Sequence, residues 1–113
     1  MYRDYLIDLL NILNSQDTLE EKKTRILQYH ESDIAELLDE LDDEKREELY
    51  KILGKDKFGE VLVYSEDVNE ILEDFEPEEV ADIIETLDAD DAIDVLEELD
   101  DESRNEVVSL LDQ

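Results

Sequence analysis

Residues 79–99, EVADIIETLDADDAIDVLEEL, superimpose on themselves after a shift of twelve. Ile83 then falls on Val95, Ile84 on Leu96 and Leu87 on Leu99. Within the second copy, Ala92, Val95, Leu96 and Leu99 are spaced three and four apart, which gathers them on one side of an α-helix. The acids fall mostly on the other sides. From Asp88 to Asp101, eight of fourteen residues are Asp or Glu, and none is Lys, Arg or His. The fold is therefore read from the apolar period, and the function from what neutralises the acids.

The period extends in both directions. Units begin at Asp33, Lys45, Lys57, Asp67, Glu79, Asp91 and Ser103. Their fifth positions are Leu37, Leu49, Val61, Ile71, Ile83, Val95 and Val107. Their sixth are Leu38, Tyr50, Leu62, Leu72, Ile84, Leu96 and Val108, and their ninth Leu41, Leu53, Ser65, Phe75, Leu87, Leu99 and Leu111. The step is twelve throughout, except for one step of ten at VLVYSED, residues 61–67. Each unit predicts a helix of roughly eight or nine residues and a tight turn. Helices that short are marginal alone, because nucleation costs more than a few hydrogen bonds return. They must stack, so the expected fold is all-α, a right-angled or superhelical array of short helices.

Turn chemistry agrees. Ser32, Asp42, Ser65, Asp88 and Asp100 are N-cap types or stand beside one. Pro77 suits a first helical turn and Gly54 a helix end. Ahead of the units, residues 2–14 predict an amphipathic helix with Tyr5, Leu6, Leu9, Leu10 and Leu13 along one side. The turn NSQD leads from it to a second helix from about Thr18 to Tyr29. Residues 1–17 are thus a leading helix and turn, and 18–113 the helical domain proper.

The chain has 113 residues, is 41% hydrophobic and carries a formal charge of −28, enough apolar content for one folded domain. Residues 58–113 hold 22 acids against one Arg, a net of −21, leaving −7 for residues 1–57. Such a surface repels nucleic acid phosphates and anionic lipid. It suits cations, basic proteins, or a surface bridged by metal ions. The absence of cysteine removes disulfides, thiolate metal sites and thiol nucleophiles. No signal peptide is read at the start, and no run approaches the roughly 18 to 20 apolar residues of a membrane span.

Enzyme chemistry finds little to work with. There is no Gly-rich phosphate loop, and an array of short helices offers no obvious cleft for paired carboxylates. His30, the single histidine, precedes a helix start and reads as a turn or surface residue.

Metal chemistry is the stronger reading. The fourth position of every unit is acidic: Glu36, Glu48, Glu60, Glu70, Asp82, Asp94 and Glu106. Most of that column faces water beside the core stripe. Asp88, Asp90, Asp91 and Asp94 form the densest cluster. Asp90 and Asp94, and Asp91 and Asp94, share helix faces by spacing. Helix capping explains one or two of them but not four. Two carboxylates about 5 Å apart repel by roughly 3 kcal/mol at an effective dielectric near 20, before water and salt reduce it. A hard divalent ion reverses that sign. An EF-hand loop from Asp88 fails at Ala92, Ile93 and Leu99. Weak, partly hydrated magnesium binding, shared with another surface, fits better.

Taken together, HESDIAELLDELDDEKREELYKIL, EVL and EPEEVADIIETLDADDAIDVLEELDDE resemble the cytosolic N-terminal domain of MgtE-type magnesium transporters, over roughly residues 18–113. The resemblance implies a right-handed superhelix on the cytoplasmic side of the membrane. A pair of CBS domains and a transmembrane pore follow it in a homodimer. It implies that the N-terminal and CBS domains sense intracellular Mg²⁺ and gate the pore. The acidic ligands match Glu60, Asp90, Asp91 and Asp94 here. Mg²⁺ is then expected to bind weakly to this chain alone, which ends before any CBS pair or pore. The segment LVYSEDVNEILEDFEPEE departs from the family in lacking the usual Leu-Pro turn. The rival reading is an acidic interaction scaffold of the flagellar motor switch kind, without metal. A third is salt adaptation, against which the basic residues of the first half weigh.

Overall fold

The structure, a computed structural model, describes residues 4–111. Eight helices follow one another: α1 (Asp4–Leu13), α2 (Leu19–Ile26), α3 (Glu31–Glu40), α4 (Asp43–Leu62), α5 (Val68–Glu73), α6 (Pro77–Glu85), α7 (Ala89–Glu98) and α8 (Asp101–Leu111). There is no strand among the described residues. The fold is all-α, as the twelve-residue period predicts.

Helix α4 is two repeat units joined without a loop. Gly54, with φ 84° and ψ 164°, breaks the helical path between residues 43–53 and 55–62. Nothing lies within 4 Å of where a Cβ would stand, so the requirement for glycine there is the positive φ alone. Counting α4 as two arms, the seven predicted units are α3, the two arms of α4, and α5 to α8. The unit beginning at Asp67, which ends the ten-residue step, has the shortest helix, six residues.

The fifth column of the repeat is buried in all seven units, from Leu37 to Val107. The sixth and ninth columns are buried or half-buried except for Val108, so the apolar stripe read from the sequence is the core. Successive units do not simply stack in order. The second arm of α4 packs beneath α6 through Gly59, α5 contacts α7, and α6 contacts α8. Ion pairs and hydrogen bonds show the same skip. Lys57 and Ser65, in and just after the second arm, reach Glu31 and Asp39 of α3, while Arg46 of the first arm reaches Glu70 of α5. Each unit therefore packs on the unit two places along. At the centre, Tyr50 meets Phe58 and Phe75 edge-on, with ring centroids 5.2 and 5.3 Å away. Such aromatic pairs contribute about 0.5–1.5 kcal/mol beyond area burial.

Two buried cations close helix ends. Lys22 donates from Nζ to the Leu13 carbonyl at 2.8 Å, the last residue of α1. Arg46 stands at the unit position where Ile34 and Phe58 are core residues, and it is 3% exposed. Its Nε donates to Leu38 O at 3.1 Å and Nη2 to Asp39 O at 3.3 Å, at the end of α3. A helix leaves its last carbonyls unbonded with a partial negative charge, and these two side chains supply donor and charge together.

Asp42 and Asp100 cap as expected, whereas α5 is entered through Asp67 rather than Ser65, and Asp88 is the N-cap of α7 without a side-chain hydrogen bond. Asp42 accepts from Lys45 N at 2.9 Å and Asp100 from Ser103 N at 2.8 Å. The hydrogen bond from the Ser103 backbone holds the Asp100 carboxyl below its ordinary range. Pro77 is the first residue of α6. For α3, however, His30 is the N-cap rather than Ser32: its Nδ1 accepts from Ser32 N at 3.0 Å. The second helix is shorter than predicted. Thr18 caps it through a capping box with Glu21, and residues 27–29 form a turn. Tyr2 and Arg3, part of the predicted first helix, lie outside the described residues.

Candidate functional site

Three backbone devices bring distant carboxylates to one hollow. The His30 cap fixes the start of α3, so that Glu31 is its first residue. The Gly54 break redirects the second arm of α4, which carries Lys57 and Glu60 one turn apart. Gly59 lets that arm lie against the end of α6. A Cβ at residue 59 would stand 2.9 Å from Thr86 Oγ1 and 3.1 Å from Leu87 Cδ2, so both side chains would have to give way. Thr86 is itself held, its hydroxyl donating to Ile83 O at 2.7 Å. The link after α6 then delivers Asp88, the residue before α7, and Asp91 in its first turn.

The result is an open hollow of about 470 Å³. Glu31, Glu60, Asp88 and Asp91 line it, with Thr86 and Leu87 between them and Val63 and Tyr64 completing the lining. Val63 and Tyr64 are 37% and 52% exposed, large apolar surface next to carboxylates. The His30 ring meets the Tyr64 ring edge-on at 5.6 Å, tying the α3 cap to the end of α4. Lys57 Nζ lies 2.8 Å from Glu31 Oε2 and 3.4 Å from Glu60 Oε2. The hydrogen bond from Lys57 holds the Glu31 carboxyl below its ordinary range, and the same bond raises the Lys57 ammonium above its own.

Of the four residues singled out from the sequence, Glu60 and Asp91 line the hollow. Asp90 and Asp94 are exposed and do not. Helix geometry separates them: Asp90 is turned about 100° from Asp91 around the α7 axis. Glu31 and Lys57 were not read from the sequence as parts of a site. Glu31 lies outside the acidic column, and its partner is 26 residues away. Asp88 belonged to the dense cluster, and its place in the hollow follows from the turn before α7.

A second acidic meeting lies elsewhere, at the start of α4. A hydrogen bond between the carboxyls of Asp43 and Asp74 raises Asp43 above its ordinary range. Arg46 Nη1 stands 3.9 Å from both Asp43 and Glu70.

The donor set around the hollow is carboxylate and hydroxyl oxygen, the chemistry of hard cations such as Mg²⁺. Among the described residues, no three Asp, Glu or His side chains are grouped so as to hold a metal ion by themselves. The chain thus offers one or two carboxylates at any point. Magnesium, which keeps most of its water, accepts that number from a protein surface. No helix among the described residues is long and apolar enough to cross a membrane.

No curated protein sequence and no solved structure matches the chain. The family model described as the MgtE intracellular N domain, a transporter-regulatory family and not a family of enzymes, matches residues 29–113, and the chain belongs to that family.

Proposed function

We propose that this chain is the Mg²⁺-responsive regulatory domain of a magnesium transporter, acting at the cytoplasmic face of the membrane to help gate the pore. The observation that carries the reading is the meeting of Glu31, Glu60, Asp88 and Asp91, from three helices and a turn, around one hollow in a chain of charge −28. Family membership supplies the transporter context.

The mechanism is one of charge. At low Mg²⁺ the acidic face repels a second acidic surface, and the assembly is loose. At high Mg²⁺, partly hydrated ions bridge Glu60 and Asp91 to carboxylates of that second surface, with Glu31 and Asp88 adding to the local field. Asp90 and Asp94, exposed on the same helix, lie where they can serve a partner approaching α7. The partners in this reading are CBS domains and a transmembrane domain of the same transporter, in a homodimer. Val63 and Tyr64 give that contact an apolar element beside the ions. Ions shift the closed population only through their preference for it, so several weak sites must act together.

The test is thermal melting of the chain in MgCl₂ against NaCl at matched ionic strength. The melting temperature is expected to rise further in MgCl₂. The excess should shrink in Glu60→Gln with Asp91→Asn and persist in Glu102→Gln, a substitution on α8. Equal rises in the two salts would leave only screening and remove the site. An acidic scaffold without metal would show that second result.

A further inference from the structure

We infer that Lys57 is a tethered competitor for the divalent cation, and that it sets the Mg²⁺ concentration at which the hollow fills. The inference rests on the reading of the hollow as Mg²⁺-responsive and adds how that response is tuned.

The ammonium of Lys57 lies 2.8 Å from one carboxylate of the hollow, Glu31, and 3.4 Å from another, Glu60. It uses the oxygens that an oxygen-seeking cation would use. Its hold spans two units of the repeat, since Glu31 belongs to α3 and Glu60 to the second arm of α4. Its side chain is only 26% exposed, yet it ends a flexible four-carbon stem that can swing outward. A tethered group competes at an effective concentration on the order of millimolar, independent of dilution. With no divalent ion, Lys57 therefore neutralises the Glu31 and Glu60 side of the hollow. Across the hollow, Asp88 and Asp91 have no Lys or Arg within ion-pair distance among the described residues. A divalent ion has twice the charge and can engage both sides. Its entry is an exchange: the ion approaches Glu60 and Asp91, and the ammonium leaves for water. The exchange weakens apparent affinity and keeps the empty hollow from repelling itself.

The experiment compares this chain with Lys57→Met, which keeps the stem and removes the ammonium, and with Lys55→Met, which removes an exposed charge two residues away. Each is titrated with MgCl₂ at constant ionic strength, following melting temperature and ¹⁵N NMR. Lys57→Met should reach its midpoint at about five- to tenfold lower Mg²⁺. Lys55→Met should move it by less than about twofold, because exposed charge is screened. In the unsubstituted chain, the Lys57 ammonium resonance should move during the titration towards that of exposed lysines. An unchanged midpoint in Lys57→Met, an equal shift in Lys55→Met, or a stationary Lys57 resonance overturns the competitor while leaving the site standing. No response of the unsubstituted chain beyond that in NaCl overturns both. The NMR arm uses only the unsubstituted chain, so it decides the matter even if a variant folds poorly.

Discussion

The two halves of this repeat use the same apolar period but balance their charge differently. From α1 to the end of α4, cations are built into the fold. Lys22 and Arg46 are buried at helix ends, Lys45 and Lys22 both approach Glu48, and Lys57 bridges Glu31 and Glu60. From α5 onward, the only Lys or Arg is Arg104, which pairs with Asp101 one turn away. The core thins only at the far end: α6 buries four residues, as α3 does, whereas α7 and α8 each bury one. The lesson is that a repeat can keep its apolar period while changing how many cations it builds into the fold.

The comparison breaks most visibly in the core. Phe58→Ala should cost about 3–5 kcal/mol, because its ring is fully buried against Tyr50 and Phe75. Val95→Ala, a fifth-column residue at the thinner end of the core, should cost only about 1–2 kcal/mol. Urea denaturation measures both; Val61→Ala, the fifth-column valine of α4, is the like-for-like partner of Val95→Ala, and equal costs for the two valines would mean one uniform core.

Arg46→Met is next. It keeps the apolar stem but removes the Arg46 donor from the Asp39 carbonyl and leaves Leu38 O with only the Leu41 N–H, which should cost about 1–3 kcal/mol. A loss much below that range in the same denaturation experiment would show that the buried cation is an ornament of the first half.

The smallest effect sharpens the charge contrast. Asp43 is raised by its hydrogen bond with Asp74. A raised carboxyl contributes stability below its unfolded value and loses it as pH rises through the folded one. At neutral pH, the pair is therefore a liability. Asp74→Asn should raise the melting temperature slightly at pH 7, and the gain should fade as pH falls through the carboxylate range. A gain that persists in acid would point to α5 itself, where Asp74 follows the C-terminus and opposes the helix dipole.

Much of this was legible beforehand. The fifth column found seven buried residues, and Gly54 marked a break that even a continuous hydrogen-bonded helix conceals. Glu60, one of seven acids in its column, and Asp91, in the densest cluster, stood out as ligands through the family resemblance rather than by the pattern alone. What the sequence did not reveal was pairing across units. The contact of Glu31 with Lys57 depends on α3 packing against the second arm of α4, and no local period encodes it. The N-cap of α3 was misplaced by two residues for a related reason. Histidine is a rarer cap than serine, and only the geometry shows the imidazole nitrogen accepting the Ser32 N–H.

The skip in packing bears on how such chains change length. Because each unit rests on the one two places along, excising a single unit would exchange the two rows and set every later helix against the wrong neighbour. Excising two would restore the order. Natural insertions and deletions in this architecture should therefore favour steps of about 24 residues over steps of about 12.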